Sequence, residues 1–397
     1  MLNELLILND CYDDTCPTSI IKIPELMGDI IGVKQVGNIT HRLYSPVVKD
    51  NARVYTYNFE TKQVELDTII AIDHIIGDFD LFELSSYKSS PVQLTNYEQI
   101  MIGRKYPNFK SYFCSCNKLF RKLVLQAVNY NILPMEEFSM WFDNNGEDVD
   151  IPMNSNIGIL IGYILGSGGV VDYNECEQIA IYPKTADDTN IVLNILSEYL
   201  PSVDVTVING RKTIIAITNK PFIDWFKASH GKGNNMQFPS QYYAAPSDYI
   251  VGIIYGLIQT AGKISINHRK NVMYYTIISK SKLFADQLNE LLFLYLNISS
   301  HSSSFTANNI EYYISNIRVI DEVVEKLGIE ITEDQQKFIP SNSKYAPDDY
   351  EDLEAILSVR VNKIGKTHET YRLHLKNNNT VIGLNGLIYK AEPGLHL

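Results

Sequence analysis

The middle of this chain contains an internal repeat. Residues 157–170 (IGILIGYILGSGGV) align with residues 251–264 (VGIIYGLIQTAGKI) at a constant offset of 94 residues. Gly158 then meets Gly252, Gly162 meets Gly256 and Gly168 meets Gly262. The segments downstream of the two copies also match. A polar, β-prone stretch (178–182; 272–278) leads into an amphipathic helix (190–199; 283–296). Two β runs come next (203–209 and 213–218; 302–306 and 310–315), and a helix closes each unit (221–228; 317–327). The unit is therefore helix-β-helix-β-β-helix, with copies at about 155–245 and 249–330. A unit used twice in one chain predicts a monomer that is internally a pseudo-dimer.

The glycine spacing says how the copies meet. Residues four apart share one helix face. Gly158 and Gly162 in one helix, and Gly252 and Gly256 in the other, leave a stripe without side chains. Two backbones can approach closely along such a stripe, as in small-xxx-small helix pairs. The first helices of the two repeats are thus expected to pack on each other about a pseudo-twofold axis. The plainer alternative, that each Gly only interrupts an apolar helix, leaves the matched stripe without a cause.

Outside the repeat, residues 1–100 read as β. Short β-branched and aromatic runs at 20–23, 54–57, 68–72 and 81–84 are separated by turn-prone residues. Residues 110–145 read as more helical, with Phe120, Leu123, Val124 and Val128 at helical spacing. Polar stretches at 143–150 and 340–352 read as linkers, and 355–361 and 370–388 return to short β runs. The fold class is α+β. A β-rich domain is assembled from residues 1–150 and 335–397, with a helical insertion near 110–145. A pseudo-twofold domain occupies 151–334.

Composition narrows the function classes. With 26 Tyr and 15 Phe in 397 residues, disorder is excluded as the dominant state. Five cysteines, at 11, 16, 114, 116 and 176, do not make a disulfide framework. Cys114-x-Cys116 is too tight for a zinc knuckle, lacks a second pair and reads as structural. The opening residues lack a basic n-region, and no apolar run reaches the roughly 18–20 residues of a membrane span. The expectation is an intracellular protein with no membrane partner. The net charge of −12 argues against coating by nucleic acid through bulk charge. Residues 155–330, however, hold 13 Lys+Arg and 16 Asp+Glu, so most of the excess lies outside the repeats.

The segments ILIGYILGSGG (159–169) and IIYGLIQTAG (253–262) resemble the paired motifs of LAGLIDADG homing endonucleases. The match is best to the group containing the yeast vacuolar-ATPase intein endonuclease and the mating-type-switching endonuclease. There the endonuclease interrupts a Hint, or intein-splicing, β domain. Residues 371–389 (YRLHLKNNNTVIGLNGLIY) resemble the C-terminal splicing block, and 92–102 (VQLTNYEQIMI) resembles the block containing T-x-x-H.

The resemblance implies a carboxylate at the end of each motif helix, where the pair binds Mg²⁺ at the scissile phosphates. The matching positions are Ser167 and Ala261. The assisting Lys of a K-x-[IV]-P motif is replaced by Met236, with Lys232 four residues upstream. The splicing-equivalent positions are Cys11 for the nucleophile, Glu98 for the His of T-x-x-H, and Tyr389-Lys390 for the terminal His-Asn. No catalytic residue is retained at these positions, and no cofactor is expected. The alternative is relocated acids, Asp172 or Glu175, although the second repeat offers no acid after its motif until Asp286.

Family members grip double-stranded DNA with β saddles. The candidates for that role are Lys184, Arg211, Lys212, Lys263, Arg269 and Lys270, with solvated surface charge as the alternative. A saddle lined by Asp172, Glu175 and Glu177 would count against DNA. His74 and His230 read as surface or turn residues, and Trp141 and Trp225 as core. Three readings stay open. The first is a degenerate, DNA-binding intein/homing-endonuclease-like protein, nuclear if eukaryotic. The second is a protein-interaction or structural role, and the third a still-active endonuclease.

Overall fold

Long-range strand pairing divides the chain into two units, one of Met1–Leu133 with Ser343–Leu397 and one of Pro134–Asn342. The computed structural model describes residues 4–9, 18–47, 52–86, 89–104, 110–115, 118–119, 123–127, 139–173, 176–209, 213–269, 271–296, 298, 300–339, 353–356, 360–383 and 386–394.

The first unit is β-rich among the described residues. Its longest strand, Gln63–Ser86, pairs antiparallel with Arg360–Leu375 through a ladder broken by three register shifts. The runs expected as two strands at 68–72 and 81–84 are therefore one. Pairing with a long partner overrides the turn propensity of Asp73, Gly77 and Asp78. The distant segments are also tied by polar groups. The buried Asp67 carboxylate accepts from the backbone N–H of Thr68, Asn377 and Asn378 at 2.8, 2.8 and 2.6 Å. The Thr380 hydroxyl accepts from the Tyr57 N–H and donates to the Tyr57 carbonyl. Around these contacts Ile23, Val54, Ile72, Ile100, Val124, Leu373 and Val381 share one core.

The helical character expected over 110–145 is not found in the described residues. Lys110–Ser115 and Leu123–Ala127 are strands, the second held between partners at Gln99–Arg104 and Leu353–Ile356. A short apolar run has no periodicity that separates strand from helix, and its neighbours decide. The stretch 143–150, expected to be a linker, is the turn of a hairpin, Ser139–Asp143 with Asp148–Pro152, in the second unit.

The second unit holds both repeats. The first comprises α1 (Ser155–Gly166), β1 (Val170–Tyr173), β2 (Cys176–Ile181), α2 (Ala186–Tyr199), β3 (Val205–Asn209), β4 (Thr213–Ile217) and α3 (Lys220–His230). The second comprises α4 (Ser247–Ala261), β5 (Lys263–Asn267), β6 (Val272–Ser279), α5 (Lys282–Leu296), β7 (Ser300–Ala307), β8 (Ile310–Arg318) and α6 (Asp321–Leu327). The sheets share one order, β1-β2-β4-β3 and β5-β6-β8-β7, antiparallel throughout. Each repeat thus has a strand that the sequence reading missed, β1 and β5, directly after its motif helix. The short run after the Gly-rich turn reads as the tail of the helix until a partner strand pairs with it. The last helix begins at Asp321, not at 317, because Ile317 pairs within β8.

Local chemistry sets the helix limits. The Asn154 side chain caps α1 by accepting the Ile157 N–H. Gly168 and Gly169 then take positive φ and stop it. Thr185 and Asp188 form a capping box on α2. Asn219 caps α3, Pro221 sits in its first turn, and Gly231 at φ 72° ends it. Among the described residues no helix is long and apolar enough to cross a membrane.

Candidate nucleic-acid interface

The two motif helices pack backbone to backbone. A Cβ on Gly162 would stand 2.9 Å from the Gly256 Cα and closer still to the Ile253 carbonyl oxygen. A Cβ on Gly256 would stand 2.8 Å from the Tyr163 nitrogen and 3.0 Å from the Gly162 carbonyl carbon. Gly158 faces Tyr249 and Ile253 in the same way, and Gly252 faces Ser155 and Ile159. Flanking Ile157, Leu160, Ile161, Ile164, Ile253 and Leu257 are all buried. The seam brings together the ends of α1 and α4, and Gly166 lies against Thr260 and Ala261.

At that shared end stand Ser167, which caps α1, and Ala261, the last residue of α4. The Ser167 Oγ accepts the Tyr182 N–H at 3.1 Å, so the hydroxyl anchors the end of β2. Lys184 reaches across the repeats, and its ammonium donates to the Gly262 carbonyl at 3.2 Å. A cation is favoured there because helix C-termini carry partial negative charge. Burial holds the Lys184 ammonium below the usual lysine range; Asp188 opposes that shift and the charge of Lys263 adds to it. These residues do not fit a divalent metal. Mg²⁺ needs hard, preferably anionic oxygens, and the site offers one engaged hydroxyl, a methyl group and an ammonium. Among the described residues no group of three or more His, Cys, Asp and Glu could hold a metal ion.

Asp172 and Glu177 stand on the sheet of the first repeat. They are paired across β1 and β2, on the face that carries Val170 and Ile179 and packs toward α3. The Lys232 ammonium bridges them, at 2.7 Å from Asp172 and 3.1 Å from Glu177, and Lys227 lies 2.7 Å from Glu177. Hydrogen bonds from Lys227, then Lys232, hold the Glu177 carboxyl down at about 2. Asp172 and Glu177, two of the acids that would have counted against DNA, thus face away from the open side of the sheet. Lys232 is committed to them.

The open faces of the two sheets differ. In the first sheet, alternation places Val171, Gln178, Ala180, Tyr182, Thr206, Ile208, Ile214 and Ala216 on the face opposite Ile179 and Ile215. No charged residue stands on it among the described residues. In the second sheet, the side opposite α5 presents Lys263, Ser265, Tyr274, Thr276, Asn316 and Arg318, with Ile278 and Ile314 next to them. Ser265 lies 3.2 Å from Thr276, and Thr276 donates to Asn316 at 2.9 Å. The Arg318 Nε is buried without a hydrogen-bond partner among the described residues. Beyond this polar band Phe305 and Tyr312 stack at 5.3 Å.

Other candidates fall elsewhere. Arg269 is exposed in the β5–β6 turn, and Met236 is buried. Cys11, Glu175, Arg211, Lys212 and Lys270 lie outside the described residues. Glu98 is buried, and its carboxylate accepts the Thr95 N–H at 2.7 Å. Tyr389 pairs with Ile100, two residues past Glu98, and Lys390 pairs with Glu392. Three side chains overturn the sequence reading. His74 sits within a strand, 2.9 Å from Glu369 and stacked on Tyr371. His230 is fully buried, and Trp141 is 62% exposed. Trp225 packs on Phe142, Phe222 and Phe226 as expected of core.

The site residues that sequence reasoning missed are the polar ladder across β5, β6 and β8. Ser, Thr, Asn and Tyr carry no charge signal, and only strand register places them together.

No protein-family model matches this chain, and no curated protein matches it. Among solved structures, the homing endonuclease I-DmoI in complex with DNA and Mn is 14% identical, covering 45% of this chain and 99% of that one at a TM-score of 0.32. Full-length DUF199/WhiA from Thermatoga maritima is 13% identical, covering 47% of this chain and 58% of that one at a TM-score of 0.32. The N-terminal LAGLIDADG domain of DUF199/WhiA is 14% identical, covering 45% and 84% at 0.30.

Proposed function

We propose that this protein is a degenerate intein/homing-endonuclease-like protein that binds double-stranded DNA without cutting it. The observation that supports this best is the open face of the second sheet. It combines two cations, Lys263 and Arg318, with a hydrogen-bonded ladder of Ser265, Thr276 and Asn316. Cations hold phosphates, and short polar side chains read base edges in the major groove. Absence of cleavage follows from the donor set at the helix ends. Ser167, Ala261 and the Lys184 ammonium offer no carboxylate for a metal clamp. On this reading the first unit is Hint-like, and its splicing is lost with Glu98, Tyr389 and Lys390 in place of the reactive groups.

The test is duplex binding by fluorescence anisotropy in EDTA, then incubation of plasmid with Mg²⁺ or Mn²⁺. The expected result is salt-dependent binding with no cut product. Reproducible double-strand cuts would overturn the inactive reading, and lack of any duplex binding would overturn the DNA reading. A protein-interaction role draws its support from the open face of the first sheet, uncharged among the described residues, with Tyr182 and Ile208 exposed.

A further inference from the structure

The two repeats build sheets of identical strand order. Their open faces are chemically unequal here. Among the described residues the first face carries no cation, and its strands set Gln178, Thr206 and the exposed Cys176 among Val171, Ala180, Ile208, Ile214 and Ala216. Apolar side chains give a phosphate nothing, and burying them against a polyanion leaves its oxygens without partners. The second face also has apolar side chains, Ile278 and Ile314 among them, but it adds the cations Lys263 and Arg318 with a polar band of Ser265, Tyr274, Thr276 and Asn316 between them.

We propose that the duplex is held by one half of the pseudo-dimer, through the open face of β5, β6 and β8, and that the open face of the first sheet takes no part. The inference rests on the DNA-binding reading and deepens it to an asymmetric grip. Strand β6, with eight residues, spans about 25 Å, or about seven base pairs of duplex. The contact is therefore shorter than one helical turn. Lys263 is exposed at the start of the band, where a phosphate can reach it. Arg318 lies at its other side, paired in register with Tyr274 and holding the unpartnered Nε.

Hydrogen exchange of the full chain, with and without a duplex of 20 base pairs, tests this directly. Protection is expected over 263–278 and 310–318 and absent over 176–182 and 205–217. Variants give a second readout. Lys263→Met, at an exposed position, should lower the slope of log K against log[salt] by about 0.9. Asn316→Ala and Arg318→Met should each weaken binding about tenfold or more. Gln178→Ala and Thr206→Ala should stay within twofold of wild type. Comparable protection or loss on the first sheet would overturn the asymmetric grip and leave DNA binding standing. A wild-type chain that binds no duplex would overturn both.

Discussion

Replacing Gly162 by Ala tests the helix seam on which the pseudo-dimer depends. In an exposed helix interior the change would stabilise by about 1 kcal/mol, because Ala is the better helix former. At this site the new Cβ would meet the Gly256 Cα at 2.9 Å and backbone atoms of Ile253 at 3.0 Å or less. Ordinary contact begins near 3.4 Å, so the helices must part by at least about 0.5 Å. No side chain can turn aside to relieve this, since the three nearest opposing atoms are all backbone. A gap of that size forfeits about a quarter of the dispersion energy of each contact it opens, along a seam lined by Leu160, Ile161, Ile253 and Leu257. Overpacking of this kind costs about 1–3 kcal/mol, and the upper end is expected here. After subtracting the gain in propensity, the net loss is about 2 kcal/mol. Urea denaturation followed by circular dichroism should then show a midpoint about 1 M lower for a slope near 2 kcal/mol/M. Ser197→Ala, on the exposed side of α2, should change stability by less than about 0.5 kcal/mol. Gly162→Ala with Gly256→Ala should cost less than the sum of the single changes, because both force the same separation. A Gly162→Ala protein as stable as wild type would refute the close-packed seam.

Three further outcomes are expected. Burial pushes the His230 imidazole down to about 3, and it stays neutral while bonded to Tyr242 and Ser229. The unfolded chain takes up that proton below about pH 6.5 and the folded chain does not, so stability should fall between pH 6.5 and 3 by up to about 1.4 kcal/mol per unit. His230→Gln should flatten that part of the profile in denaturation midpoints measured against pH. The Glu177 carboxyl, held at about 2 by Lys227 and Lys232, contributes stability present above its unfolded value near 4.5 and lost as pH falls toward 2. Its carboxyl carbon should titrate near 2 by NMR, and Lys227→Met should move that midpoint upward. Asn154→Ala removes the acceptor for the Ile157 N–H and should cost about 1 kcal/mol, read as a lower melting temperature.

The duplication and the way its halves meet can be read from the residues alone. Glycines four residues apart in two matched helices define a bare stripe, and helical geometry leaves such a stripe one use, close backbone contact. The residues also determine what stands at the shared helix ends, since Ser167 and Ala261 close the motifs by position alone. Tertiary structure decided which way the strand residues face. Strand side chains alternate with a period of two, so a shift of one residue exchanges the faces, and only pairing sets that register. This is why Asp172 and Glu177 meet Lys227 and Lys232 on the helix side, while Thr276, Asn316 and Arg318 come to the open side. The same limit hid β1 and β5, which are too short to be recognised without partners. It also hid the burial of His230 and the exposure of Trp141. Composition sets how much of each residue type a chain must place, and packing against distant elements sets where each one goes.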